Sequence, residues 1–184
     1  MRGGRLEESA LTTRRQTRKR ERLDASRFRF GIVVSDYHPA VAGRLLEGAL
    51  GCLAAHRVDP RKVPVFRVPG AFEIPQIASR LLQEGDHPFD ALICLGLLIR
   101  GETFHFEVLA REVCRSLAET ARRSGMPVAF GVLTVENERQ ARDRSGKGSS
   151  NKGWEAAGAA VRMAALYRNL DRRKGREARI PGSP

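Results

Sequence analysis

Three cysteines are too few and too far apart for a disulfide framework: Cys52, Cys94 and Cys114 are odd in number and each sits among apolar neighbours. That usage fits reduced core thiols better than stapled loops or a zinc site. Histidine is as scarce, and no HxH or HxxxH spacing supports a metal. No apolar run approaches the roughly 18 residues of a membrane span, and no apolar stretch follows the N-terminal arginines as a secretion signal requires. These absences predict a cytoplasmic protein with no membrane partner. An Arg-rich transit peptide is a second reading of the N-terminus, and Glu7, Glu8, Glu21 and Asp24 argue against it. A GxxxxGK[ST] loop after a strand and a GxGxxG fingerprint are both missing, so nucleoside-triphosphate hydrolysis and nicotinamide chemistry lack their usual signals.

Positive charge, by contrast, is abundant: 33 Lys and Arg face 21 acidic residues, a formal net charge of +12. Spread over a folded face, that excess would point to nucleic acid. It is concentrated in the ends instead. Residues 1–29 hold ten basic and four acidic side chains, residues 171–184 five and two, so the ends supply nine of the twelve charges and the stretch from Phe30 to Leu170 only three. The run Arg14-Arg15-Gln16-Thr17-Arg18-Lys19-Arg20 repels itself and has no periodic apolar face to bury. The expected organisation is a basic mobile arm over 1–29, one catalytic-sized domain over 30–170, and a basic tail over 171–184, with any nucleic-acid contact confined to those tails.

Within the domain, strand-length apolar runs alternate with segments of helical period. Strands are expected at Phe28–Ser35, Val63–Val68, Ala91–Ile99 and Val128–Thr134, the third apolar on consecutive residues as a parallel strand covered on both faces is. Helices are expected between them: one marked by Val41, Leu45, Ala49 and Leu53, a short one over Ile74–Gln83, one marked by Phe106, Leu109, Val113 and Leu117, and a polar one over Glu136–Arg144. The closing helix spans Trp154–Leu170, with Ala157, Val161, Ala165 and Leu166 on its inner face. Alternation of this kind gives right-handed crossovers and an α/β fold, a four-stranded parallel sheet layered between helices.

Ligands of such sheets bind beyond the carboxyl ends of the strands, and the distinctive residues of this chain fall there. The segments read Ser35-Asp36-Tyr37-His38, Pro69-Gly70-Ala71-Phe72-Glu73, Arg100-Gly101-Glu102-Thr103-Phe104-His105 and Thr134-Val135-Glu136-Asn137. His105 at a helix start can pass a proton near neutral pH, or is an ordinary surface histidine. Gly101, Glu102 and Thr103 precede that helix, where free backbone N–H groups and the dipole can hold an anion. Arg144 ends the polar helix before the glycine-rich loop Ser145–Asn151, and is either a bidentate phosphate clamp or a dipole partner. Phe72 and Tyr37 can stack on a flat heterocycle and Glu73 can accept from ligand hydroxyls; the alternative makes Phe72 core and Glu73 a solvated helix-start residue. His38, His56 and His87 look like loop or surface residues. Glu107, two residues beyond His105, cannot share its helix face, which excludes a dyad.

Three motifs in order carry a resemblance: Val68-Pro69-Gly70-Ala71-Phe72-Glu73-Ile74-Pro75, Leu95–Glu107 (LGLLIRGETFHFE), and Phe130-Gly131-Val132-Leu133-Thr134 with Asn151-Lys152-Gly153. From about Phe30 to Leu170 the chain resembles the lumazine synthases, which implies a flavodoxin-like three-layer αβα sandwich. The resemblance also implies a transferase that condenses 5-amino-6-(D-ribitylamino)uracil with 3,4-dihydroxy-2-butanone 4-phosphate to 6,7-dimethyl-8-ribityllumazine, without metal or cofactor. It assigns Tyr37 to stacking on the pyrimidine, Ala71, Phe72 and Glu73 to the ribityl chain, and Leu97, Leu98 and Ile99 to the pyrimidine pocket. Glu102 and Thr103 fall to the phosphate, His105 to proton transfer, Phe130 to the pocket of a neighbouring subunit and Arg144 to clamping the phosphate, with Lys152 a further substrate-binding residue. The chain departs from the family pattern at His38 and Pro39, at Glu102, and in the placing of Lys147.

The same resemblance implies a homo-oligomer built on rings of five, with the segment before Phe28 free to add a strand to a neighbour, rings joining into a sixty-subunit shell, and riboflavin synthase as an associated partner. Two other classes stay open from the sequence: a catalytically reduced shell protein of the same fold, and a flavin- or nucleotide-binding module using the same strand ends.

Overall fold

The structure, a computed structural model, describes residues 23–83 and 88–177. Four strands, β1 (Phe30–Ser35), β2 (Val65–Val68), β3 (Ala91–Ile99) and β4 (Val128–Val135), form one parallel sheet in the order β2-β1-β3-β4. β1 pairs with β2 from Ile32 opposite Val65 and with β3 from Phe30 opposite Ala91; β3 pairs with β4 from Leu92 opposite Val128 through Ile99 opposite Val135. Five helices connect and flank them: α1 (Pro39–Ala55), α2 (Ile74–Leu81), α3 (His105–Ser124), α4 (Glu138–Arg144) and α5 (Lys152–Glu177).

The sheet separates two hydrophobic layers. On one face Ile32, Val34, Ile93, Leu95 and Leu133 pack against Leu45, Ala49 and Leu53 of α1 and Ala157, Ala160, Val161 and Ala164 of α5. On the other, Val33, Leu92, Cys94 and Val132 meet Ile74 and Ala78 of α2 and Val113 and Leu117 of α3. β1 and β3 alternate sides residue by residue between these layers, as strands buried on both faces do. The result is the parallel sheet layered between helices expected from the alternation, in the flavodoxin-like three-layer form that the resemblance implies.

Helix ends follow local chemistry. Pro39 opens α1 and Pro75 sits in the first turn of α2, where no N–H is needed. The Asn137 side chain accepts from Gln140 N at 3.0 Å and caps α4, and Gly125 ends α3 in the left-handed conformation at φ 64°. Among the described residues no helix is long and apolar enough to cross a membrane.

Four expectations are corrected. The folded body begins before Phe30: Ala25 is fully buried and its N–H donates to His56 O at 2.9 Å, while Phe28 lies under the Arg168 guanidinium at 3.9 Å. Residues 23–29 therefore pack on the domain, and the remainder of the arm assigned to residues 1–29, residues 1–22, lies outside the described residues, as do His87 and residues 178–184. α5 runs past Leu170 to Glu177 rather than stopping where its apolar period does. On α5 the inner face is Ala157, Ala160, Val161 and Ala164; Leu166 is half exposed and Ala165 only partly covered. Cys52 and Cys94 are buried thiols, but Cys114 is exposed on the outer face of α3.

Candidate active site

Strand order decides where a ligand can lie. From β1 the chain crosses to β2 on one side and then back past β1 to β3 on the other, so the connections leaving β1 and β3 go to opposite faces of the sheet and leave a crevice at the carboxyl ends of these strands. A cleft of about 630 Å³ opens there. After β1, Asp36 N donates to Val68 O at 2.8 Å, which turns the next two residues over the cleft. Tyr37 and His38 line it with their rings edge to face, centroids 5.0 Å apart; Tyr37 is 75% exposed, a platform with an uncovered face. After β2, Gly70, Ala71, Phe72 and Glu73 form a single turn leading into α2. A Cβ on Gly70 would stand 3.0 Å from the Glu73 carboxylate, so glycine here lets that side chain lie close over the turn. Leu97, Leu98 and Ile99 of β3 make the apolar floor, and Gly101, Thr103 and His105 close the far wall with Phe106 and Leu109 of α3.

The segment joining β3 to α3 is braced by an ionic cluster. Arg100 N donates to Val135 O at 2.9 Å, tying the end of β3 to β4. Its guanidinium pairs closely with Glu107, reaches Glu136 at 2.7 Å and stacks 4.8 Å from the centroid of Phe106. The Glu107 carboxyl is held below its ordinary range, by the backbone N–H of its own residue first and by Arg100 next. Glu107 thus faces Arg100 rather than His105, consistent with the excluded dyad. Glu102 is exposed beside the cleft and does not line it.

A second hollow, about 720 Å³, lies along β4, the open edge of the sheet. It contains Phe130, 44% exposed on the strand, with Arg144 at the end of α4 and Lys152 at the start of α5. Lys152 Nζ pairs with the Glu155 carboxylate at 2.7 Å, and Arg144 reaches back 3.5 Å to Gln140 O, the dipole-partner posture. The two hollows share no lining residue. The structure therefore brings Tyr37, Ala71, Phe72, Glu73, Leu97, Leu98, Ile99, Thr103 and His105 together, and sets Phe130, Arg144 and Lys152 together elsewhere.

The sequence reading missed His38, Phe106 and Leu109 as lining residues. Phe106 and Leu109 carry the apolar period of α3, and that period reads as core; the signal that they also face the cleft is their place in the first turn after the β3 loop.

Fold and site define a parallel α/β protein with an apolar cleft at the sheet's topological switch point, flanked by a histidine and a helix start, and with two cationic side chains in a separate hollow along the β4 edge of the sheet. The family model for 6,7-dimethyl-8-ribityllumazine synthase matches residues 27–168. The chain is 41% identical over 148 residues to the 6,7-dimethyl-8-ribityllumazine synthase of Chloroherpeton thalassium and 45% to that of Chlorobium phaeobacteroides, in each case covering 80% of this chain and 94% of the relative. The protein of the same description from Chlorobium luteolum is 42% identical over the same span. The chain belongs to the 6,7-dimethyl-8-ribityllumazine synthase family.

Proposed function

We propose that this protein is a transferase of riboflavin biosynthesis that condenses 5-amino-6-(D-ribitylamino)uracil with 3,4-dihydroxy-2-butanone 4-phosphate in the cytoplasm, releasing 6,7-dimethyl-8-ribityllumazine, inorganic phosphate and water. Family membership supports the reaction, and the cleft supports the division of labour. The pyrimidine lies on the Leu97–Ile99 floor beneath Tyr37, and its ribityl hydroxyls meet Glu73 and the turn at Ala71 and Phe72. His105 stands on the wall where the amine attacks the ketone, and takes up and returns the proton as the carbinolamine forms and collapses. Thr103 and the open N–H groups before α3 receive the phosphate from one side. Glu102, exposed, keeps its carboxylate in solvent and away from that anion. Most of the acceleration comes from holding two reactants that already combine slowly in water, so proton transfer contributes about 10²-fold or less.

One observation carries the rest: the cation pair that phosphate needs is not in the cleft. Arg144, Lys152 and the exposed Phe130 ring lie on the β4 edge of the same subunit, so a complete pocket forms where one copy's β4 edge meets the cleft of the next. Such a contact is heterologous, and heterologous contacts close into rings. A ring of five and the further joining of rings into a sixty-subunit shell associated with riboflavin synthase are the family's assembly, and we extend them to this chain. Native mass with turnover on the same sample tests it. Activity is expected only in the ring or larger; a single pentamer at every concentration would refute the shell, and an active monomer would refute the shared pocket.

A further inference from the structure

We infer that Asn151 is a positioning residue for the phosphate half-site: it holds both ends of the loop that presents Arg144 and Lys152, and so sets affinity for the phosphorylated substrate without touching it. The inference rests on the assignment of Arg144 and Lys152 to phosphate.

Asn151 is 2% exposed, a buried amide that closes a loop whose residues 147–150 are open to solvent. Its Nδ2 donates to three carbonyls, Arg44 O at 2.9 Å, Ser145 O at 3.1 Å and Gly146 O at 2.8 Å. Two N–H bonds serving three acceptors means that at least one is shared. Its Oδ1 accepts from Gly153 N at 2.8 Å and Trp154 N at 3.3 Å, the bonds of an N-cap to the first turn of α5. The amide end therefore fixes the two residues that follow Arg144, and the carbonyl end fixes the helix whose first residue is Lys152.

The surroundings are shaped to this one side chain. A Cβ on Gly48 of α1 would stand 2.2 Å from Asn151 Oδ1, so the helix leaves a notch for it. Gly153 is required as well, because its Cβ would meet Leu45 O at 1.9 Å. Ser145, fully buried, adds a parallel tie: its hydroxyl donates to Ala141 O at 2.8 Å and accepts from Arg44 Nε at 3.0 Å. Arg144 itself has no carboxylate in ion-pair contact among the described residues and its bond to Gln140 O is long at 3.5 Å, so the backbone at residues 145 and 146, which Asn151 ties down, bears directly on where it points.

The test compares Asn151→Ser, Ser145→Ala, Arg144→Ala and the double variant Asn151→Ser with Arg144→Ala, measuring KM for each substrate, kcat, and folding by circular dichroism. Serine can still cap α5 but cannot reach the three carbonyls. Expected for Asn151→Ser is a rise of roughly tenfold or more in KM for the butanone phosphate, the scale of a lost charge-assisted hydrogen bond, with KM for the pyrimidine within about twofold. Ser145→Ala, which keeps Asn151, is expected to raise the same KM by a few fold. The double variant should be less than additive, because Asn151 acts partly through Arg144. If Asn151→Ser fails to fold, Asn151→Asp, which keeps the oxygen that caps α5 and removes the three donor bonds, decides: an unchanged KM for the phosphate overturns the inference. Equal rises in both KM values, or full additivity with Arg144→Ala, also overturn it, since a merely structural role would behave that way. If Arg144→Ala alone leaves the phosphate KM unchanged, the phosphate assignment falls and takes the inference with it; if Arg144→Ala raises it and Asn151→Ser does not, only the inference falls.

Discussion

Replacing Gly153 by alanine puts a methyl group into the closest approach of α1 and α5. The added Cβ would sit 1.9 Å from Leu45 O and 2.7 Å from Leu45 C, both backbone atoms that no rotamer change can move. An unstrained carbon–oxygen contact is about 3.3 Å, so the helices must separate by roughly 1.4 Å or α5 must rotate off its cap. That shift works against the Leu45, Ala49, Ala157 and Val161 layer, where every neighbour is fully buried. Overpacking against rigid backbone costs about 1–3 kcal/mol, and a chain of this length loses about 2–4 °C of Tm per kcal/mol, giving a drop of up to about 12 °C. Because Gly153 N also donates to Asn151, the phosphate KM should rise with it. Gly43→Ala in the same helix pair is the control: nothing lies within 4 Å of its Cβ, and it should be neutral or slightly stabilising. Thermal unfolding of the two variants beside the parent checks this. A Gly153→Ala protein melting within about 2 °C of the parent would refute the packing argument.

His105→Ala is expected to keep the fold and lower turnover by tens of fold or less, because positioning outweighs proton transfer; unchanged turnover would remove His105 from the chemistry. Burial alone pushes the Cys94 thiol from 9.0 up to about 12. The folded value lies above the unfolded one, so this contribution is full below pH 9 and is lost between pH 9 and about 12. Urea unfolding should therefore show about 1.4 kcal/mol less stability at pH 10 than at pH 8, and Cys94→Ala should flatten that difference; an equal loss in Cys94→Ala would assign it to other groups. Deleting residues 1–22, which carry eight basic and three acidic side chains, should preserve activity while reducing retention on RNA at matched salt; undiminished retention would put the basic surface elsewhere in the chain.

How much of this was legible in the chain depended on whether a residue's fate was local. β3 was read residue for residue, because nine consecutive apolar side chains between polar segments can be little else than a strand covered on both faces. The end of α5 was not, since beyond Leu170 the helix is carried by Arg, Lys and Glu, which favour helix without needing a face to bury. Leu166 misled for the opposite reason: an apolar side chain suggests the core, yet it stands half exposed on the side of α5 away from the sheet. Tyr37, Phe72, Glu73, Thr103 and His105 follow strand ends and were singled out by that rule, whereas Leu97, Leu98 and Ile99 lie inside β3 and came only from the family resemblance. Phe130, Arg144 and Lys152 carried motif signals, but their separation from the cleft is set by the β4 edge position, which only the strand order reveals. Asn151 stood at the end of the glycine-rich loop and in the Asn151-Lys152-Gly153 motif, with no role of its own. Its burial depends on a notch at Gly48 and a carbonyl at Arg44, 107 residues away in the chain, which no window of sequence displays.

The central claim is the condensation itself, and the most direct measurement mixes the purified protein with 5-amino-6-(D-ribitylamino)uracil and 3,4-dihydroxy-2-butanone 4-phosphate while following the lumazine chromophore and inorganic phosphate together. One phosphate released per lumazine formed, at a rate well above the same mixture without protein, is the expected result. A rate equal to that of buffer, from protein of verified fold and native mass, would contradict the account.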